Sequence, residues 1–160
     1  MSFDPVCDNR SRILILGTYP SPRSRAEGFY YGHPQNRFWT LTAGLLGEDV
    51  PVTVEQKKAM LLNHGIALWD VCESCTADGA SDASIRDVRP NEVAALLRRT
   101  GIVRVFCNGT AAGRLYERHI LPQSGISAAV LPSTSPANAR WSLPMLAEAW
   151  KPILEVNPDV

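Results

Sequence analysis

Lysine is scarce in this chain. Of the 16 basic residues only Lys57, Lys58 and Lys151 are lysines, and the other 13 are arginines. Few amines are therefore placed to act as nucleophiles. Net charge is zero, balanced by 16 acidic residues, so no overall basic excess announces a polyanionic partner. No apolar run approaches the roughly 20 residues of a membrane-spanning helix, and no membrane association is expected. The first residues, MSFDPVCDNRSR, lack the apolar stretch of a secretory signal, and a cytoplasmic protein is expected. The three histidines, His33, His64 and His119, form no paired ligand motif. Four cysteines occur, and only Cys72 and Cys75 are close in a CxxC spacing. A zinc site needs two further ligands, so no metal is expected and the thiols read as reduced. Absent too are the glycine-rich dinucleotide and P-loop fingerprints and the GxSxG elbow. That weakens nucleotide-binding and serine-hydrolase readings.

What remains is an ordinary globular composition, 45% apolar over 160 residues, enough for one domain with a core of its own. Four short apolar runs read as strands: residues 12–17 (RILILG), 66–71 (IALWDV), 102–107 (IVRVFC) and 127–131. Helices are expected between them. One starts near Asn36 and closes at Gly47, and another opens on the Thr53–Gln56 capping box and stops at Gly65. Others follow Pro90 and Asn91, run from Asn108 and Gly109 to near His119, and span residues 142–154. Residues 18–35 and 72–89 read as loops. Alternating strands and helices predict a three-layer α/β/α domain on a central four-stranded parallel sheet. Ligands in such folds bind beyond the carboxyl ends of the strands.

Three polar segments leave strand ends on that edge. The first, Gly17-Thr18-Tyr19-Pro20-Ser21, offers a glycine where the backbone can approach a ligand. The second, YYGHPQNRFW from Tyr30, sets aromatic rings beside amides. An extruded base needs a ring to stack on and amides to read its edge. Asn36 also reads as the helix cap, which commits only its oxygen. The third, PSTSPANAR from Pro132 to Arg140, is stiff and polar and suits gripping a phosphate backbone. Asp70 closes the second strand, Asn108 follows the third, and Arg23, Arg25, Arg37 and Arg140 lie in or beside these segments.

LILGTYPS, FYYGHPQNRFW, GIALWDVCESC with GASDASI, FCNGT and LPSTSPANAR, in that order, resemble the uracil-DNA glycosylase superfamily, and within it the hypoxanthine-DNA glycosylase branch. The resemblance runs from about Ile13 to Trp150. It implies a four-stranded parallel sheet flanked by helices, and hydrolysis of an N-glycosidic bond without metal or cofactor. It places Tyr31 as the stacking aromatic, Asn36 as the catalytic residue, and residues 133–140 as the loop that grips and enters DNA. One position departs from the pattern. Several relatives carry Asn or Asp two residues after the opening glycine; here Tyr19 stands there, and it is no base at neutral pH.

The resulting expectation is a monofunctional glycosylase acting as a monomer on double-stranded DNA containing a deaminated base. Asn36 orients either the attacking water or the base. Gly17, Thr18, Tyr19, Tyr31, Asp70 and Asn108 line the base. Ser21, Arg37, Ser133, Thr134, Ser135, Pro136, Asn138 and Arg140 meet the DNA. Asp70 either accepts the N1–H of hypoxanthine or caps a turn, and Asp82 is a candidate partner for backbone amides. The alternatives are a mismatch uracil or thymine glycosylase, a non-catalytic damage binder on the same fold, and a CxxC redox protein.

Overall fold

A computed structural model of the protein describes residues 3–76 and 85–155. Strand β1 (Ile13–Gly17) is buried along its whole length, as is β2 (Ile66–Asp70). Strand β5 (Arg104–Asn108) is buried after its first residue, and β6 (Ala128–Leu131) is the more exposed edge. All pairings are parallel, in the order β2-β1-β5-β6. This is the expected α/β class. Continuous burial of β1 means that both faces are covered, as parallel sheets require. The outer side of β2 is closed by an antiparallel bridge between Val6 and Leu68.

The connecting helices are α2 (Phe38–Leu46), α3 (Val54–Asn63), α4 (Val93–Arg99), α5 (Thr110–His119), the single turn α6 (Leu121–Ser124) and α7 (Leu143–Trp150), which runs into a 3₁₀ turn (Lys151–Leu154). Local sequence explains their ends. The Thr53–Gln56 capping box is formed in full at α3, and Gly47 closes α2 in the left-handed region at φ 71°. Helices α2 and α7 meet through Phe38 and Trp150, edge to face at 6.0 Å. Trp150 also donates its indole N–H to Pro132 O at 2.9 Å, which ties the base of the 132–140 loop to this layer.

Two segments expected to be irregular carry structure. Residues 18–35 contain a short helix α1 (Pro22–Glu27), capped by Ser21, opened by Pro22 and closed by Gly28 at φ 81°. Residues 72–89 contain an antiparallel ribbon of β3 (Cys72–Thr76) and β4 (Arg86–Pro90), with irregular register. The strand sequences CESCT and RDVRP lack the apolar–polar alternation by which a half-buried strand is recognised. Asp82 lies outside the described residues.

From β1 the chain passes to β2 on one side and later to β5 on the other. The switch point therefore falls between Gly17 and Asn108, where a parallel sheet opens a crevice.

Candidate active site

Gly17 ends β1 in register with Asp70 at the end of β2. It is glycine because its neighbours fill the space above it. A Cβ there would lie 2.5 Å from Asp70 Oδ1 and 2.8 Å from the Tyr31 hydroxyl. Asp70 is 3% exposed. Its Oδ2 and the Tyr31 hydroxyl are the two buried side-chain polar atoms without a hydrogen-bond partner among the described residues. Burial alone pushes the Asp70 carboxyl up to about 7. Burial first, and the facing Asp70 second, raise the Tyr31 phenol well above its ordinary range.

Tyr31 sits in the left-handed region at φ 53°, an unfavourable conformation for a residue with a side chain. Both neighbours hold it there. On one side Trp39 Nε1 donates to Tyr30 O at 3.0 Å, and the Tyr30 hydroxyl donates to Asp4 O at 2.6 Å. On the other, Gly32 N donates to the hydroxyl of buried Ser24 at 3.0 Å. The Tyr31 ring stacks on Phe38 with centroids 4.2 Å apart and planes at 24°. One ring face is thus covered by Phe38, and the residue as a whole is half-buried.

Beside this floor runs a chain of hydrogen bonds. Thr134 N donates to Asn108 Oδ1 at 3.0 Å, and Asn108 Nδ2 donates to Thr134 Oγ1 at 3.0 Å. Thr134 Oγ1 donates to Asn36 Oδ1 at 2.8 Å, and Phe38 N donates to the same oxygen at 2.9 Å. Arg37 is the residue before α2 and makes no side-chain cap; the Asn36 oxygen performs that task from one residue earlier.

Arg37 anchors the third segment. Its backbone N donates to Thr134 O at 3.1 Å. Its Nη2 donates to Ser135 O at 2.9 Å and Asn138 O at 3.0 Å, and its Nη1 donates to Trp141 O. The loop also stitches itself: Asn138 Nδ2 donates to Ser133 O, Ser135 N to Ser133 Oγ, and Ala137 N to Ser135 Oγ. Arg140, Ala137 and Ala139 stand exposed on it.

Several assignments change. Thr134 is fully buried and does not face a phosphate. Asn108 turns its amide to Thr134 instead of to an open pocket. Arg37 holds loop carbonyls and is not free to grip DNA. The Ser21 hydroxyl is committed to α1, accepting from Ser24 N and donating to Ser24 Oγ. Gly17, Tyr31 and Asp70 come together, and Asn36 is tied through Thr134 to Asn108 at the same edge of the sheet. Thr18 and Tyr19 lie at the rim, half-buried; Thr18 O accepts from Cys72 N at 3.0 Å, and Arg25 lies over the Tyr19 ring at 5.4 Å. Phe38, fully buried, also backs Tyr31. No sequence signal marked Thr134 as a hub, since a buried threonine within a polar Pro-rich loop looks like its exposed neighbours.

The sequence matches the model of the Uracil DNA glycosylase superfamily over residues 4–154. The chain belongs to that superfamily. It is 39% identical over 142 residues to a Hypoxanthine DNA glycosylase of Methanosarcina acetivorans, covering 88% of this chain and 89% of that protein. It is 35% identical over 150 residues to a protein of the same name from Methanosarcina barkeri, covering 92% and 93%. A solution NMR structure from Methanosarcina acetivorans, provisionally described as a uracil DNA glycosylase, superposes with a TM-score of 0.82 at 35% identity over 96% of this chain and 94% of that one.

For a DNA glycosylase of this superfamily the described parts divide the work. The floor of Gly17, Asp70 and the buried Tyr31 hydroxyl is polar and closed to solvent. The loop from Ser133 to Arg140 is pre-formed, and its exposed tip bears the arginine.

Proposed function

We propose that the protein is a hypoxanthine DNA glycosylase. It flips the deaminated base from duplex DNA, hydrolyses its N-glycosidic bond and leaves an abasic site. The observation that carries this reading is Asp70 Oδ2, a buried acceptor at the carboxyl edge of the sheet that meets no donor among the described residues. A buried acceptor left unpaired costs about 1–3 kcal/mol, and a ligand N–H relieves it. Hypoxanthine presents N1–H. Adenine presents a lone pair at N1 and would set two acceptors against each other. A site built for an N–H rejects the analogue lacking it far more strongly than an apolar pocket rejects a methyl group.

In this reading the base stacks on the face of Tyr31 turned away from Phe38, with its Watson–Crick edge toward Asp70. Mispaired bases enter most readily because extruding them costs least. Arg140 and the amides of the 133–140 loop hold the DNA backbone. Asn36 acts at the glycosidic bond, whose transition state leaves positive character on the sugar and negative charge on the departing base. All three lysines lie outside the site segments, so no amine is placed for strand cleavage after excision. One copy of the chain, working in the cytoplasm, suffices for this chemistry.

Uracil also carries an N–H that Asp70 would accept, and the superfamily name makes uracil excision the rival activity. The deciding experiment is excision from otherwise identical duplexes containing inosine, uracil, xanthine, ethenoadenine or no lesion, beside Asn36→Ala. Inosine cleavage that collapses in the variant is the expected result. Cleavage of uracil alone would move the protein to mismatch-uracil repair. Lesion binding without cleavage of any duplex would make it a damage binder.

A further inference from the structure

We infer that Asn36 acts as a hydrogen-bond donor to the departing base and that Thr134 is the positioning residue that makes it one. The inference rests on the glycosylase reading above and adds the polarity of the catalytic amide.

A carboxamide has nearly the same shape either way round, so its neighbours decide which end faces the ligand. Here two backbone N–H groups settle the question from opposite ends of the chain of bonds. Thr134 N can only donate, so the Asn108 atom it meets is the oxygen. Asn108 Nδ2 is then the atom that meets Thr134 Oγ1, and it donates. The Thr134 hydroxyl already receives a proton and must give its own to Asn36. Phe38 N can also only donate, and it meets the same Asn36 oxygen. A carbonyl oxygen accepts two hydrogen bonds, and both places on Asn36 Oδ1 are filled. The half-buried Asn36 is left with its Nδ2 group for the crevice.

That polarity selects between the two roles open to Asn36. Activating a water needs an acceptor for the water's proton, and Asn36 has no free acceptor. An N–H donating to the water's oxygen would draw on the lone pair needed for attack. A donor does suit the leaving group. When the C1′–N9 bond breaks, its electron pair goes to the purine. Water's oxygen bonds to C1′, and one water proton ends on the base. An N–H aimed at an acceptor atom of the purine stabilises the charge gathering there, in the manner of an oxyanion hole. Thr134 touches no substrate; it holds the amide in this sense.

The test uses the full chain and an inosine duplex under single-turnover conditions. Asn36→Asp keeps shape and replaces the donor by an acceptor. It is expected to fall at least as far as Asn36→Ala, about 10²–10³-fold, the loss typical of one transition-state donor. Thr134→Val is expected to slow cleavage about tenfold to a hundredfold, as misplaced catalytic groups do, while duplex affinity stays within about threefold, so that the loss falls on the cleavage step. Thr134→Ser should restore most of the rate. Asn36→Asp with substantial activity would show that Asn36 works as an acceptor and would overturn the inference. Wild-type rate in Thr134→Val would remove Thr134 from it. A coupling across the hydrogen bond from the Phe38 amide nitrogen to Asn36 Cγ, measured by NMR on the free protein, reads the amide's orientation without activity. Its presence supports the inference even if inosine is not cleaved, an outcome that would sink only the hypoxanthine assignment; its absence means that the amide is reversed.

Discussion

Replacing Asp70 with asparagine exchanges a carboxylate for an amide of the same shape in the floor beside Gly17 and Tyr31. The carboxyl is pushed up to about 7 by burial, from an ordinary value of 3.8. A raised carboxyl binds its proton more tightly in the folded state, so its ionisation opposes folding. The penalty is absent below the ordinary value, grows as pH rises, and levels off above about 7. Each tenfold tightening of proton binding is worth roughly 1 kcal/mol or a little more, so the penalty amounts to about 1–2 kcal/mol at pH 5 and about 4 kcal/mol at pH 8. The Asp70→Asn protein is therefore expected to be the more stable one at pH 8, by up to about 4 kcal/mol. That advantage should shrink by about 2–3 kcal/mol on going to pH 5. Urea unfolding of both proteins at the two pH values measures it. The same variant should lose inosine excision, because the acceptor for N1–H is diluted by an amide that can also turn a donor to the base. A stability gap independent of pH would refute the buried, unpaired carboxylate. Full excision by the more stable variant would refute its role in reading the base.

Excision of inosine by the wild type should itself rise with pH through about 7 as Asp70 ionises; a single-turnover rate flat from pH 6 to 8 would contradict this. Tyr31→Phe removes the other orphan atom and should stabilise the free protein by about 1 kcal/mol while cleavage persists, and a large loss of cleavage would mean that the hydroxyl touches the base. Arg37→Ala releases three loop carbonyls and should lower stability by about 2–3 kcal/mol together with DNA affinity, which melting curves and duplex titrations report. Arg140→Ala should weaken binding equally on all sequences and lower the salt slope by about one, with melting temperature unchanged. Cys72→Ser should keep near-wild-type excision, since burial pushes this thiol up to about 12 and leaves it inert; an oxidant-dependent activity lost in the variant would revive a redox role.

Much of this fold was written locally. Uninterrupted apolar runs such as ILILG and IALWD announced buried parallel strands, because a strand covered on both faces has no reason to alternate. Gly47, the Thr53–Gln56 pair and Gly65 marked helix ends through backbone requirements that hold in any context. Alternation of strands and helices then placed Gly17, Asp70 and Asn108 on one sheet edge, and the long YYGHPQNRFW and STSPANAR segments carried the family resemblance. The β3–β4 ribbon and α1 stayed hidden, the first because CESCT and RDVRP do not alternate apolar and polar residues and the second because six residues are too few for a periodicity.

What each polar side chain does was decided only by the tertiary structure. Ser133, Thr134 and Ser135 are near-equivalent in sequence, yet only Thr134 is sealed in the interior. It lies there because Asn108, at the end of β5, and Asn36, before α2, approach it from elements 26 and 98 residues away in the chain. Arg37 looks like a phosphate ligand until the loop carbonyls fold back onto it. Hydrogen bonds of such long separation leave no local trace. Composition and spacing therefore set the sheet, its edge and the residues brought there, while the direction of each donor and acceptor, and with it the chemistry open to Asn36 and Asp70, follows from three-dimensional contact.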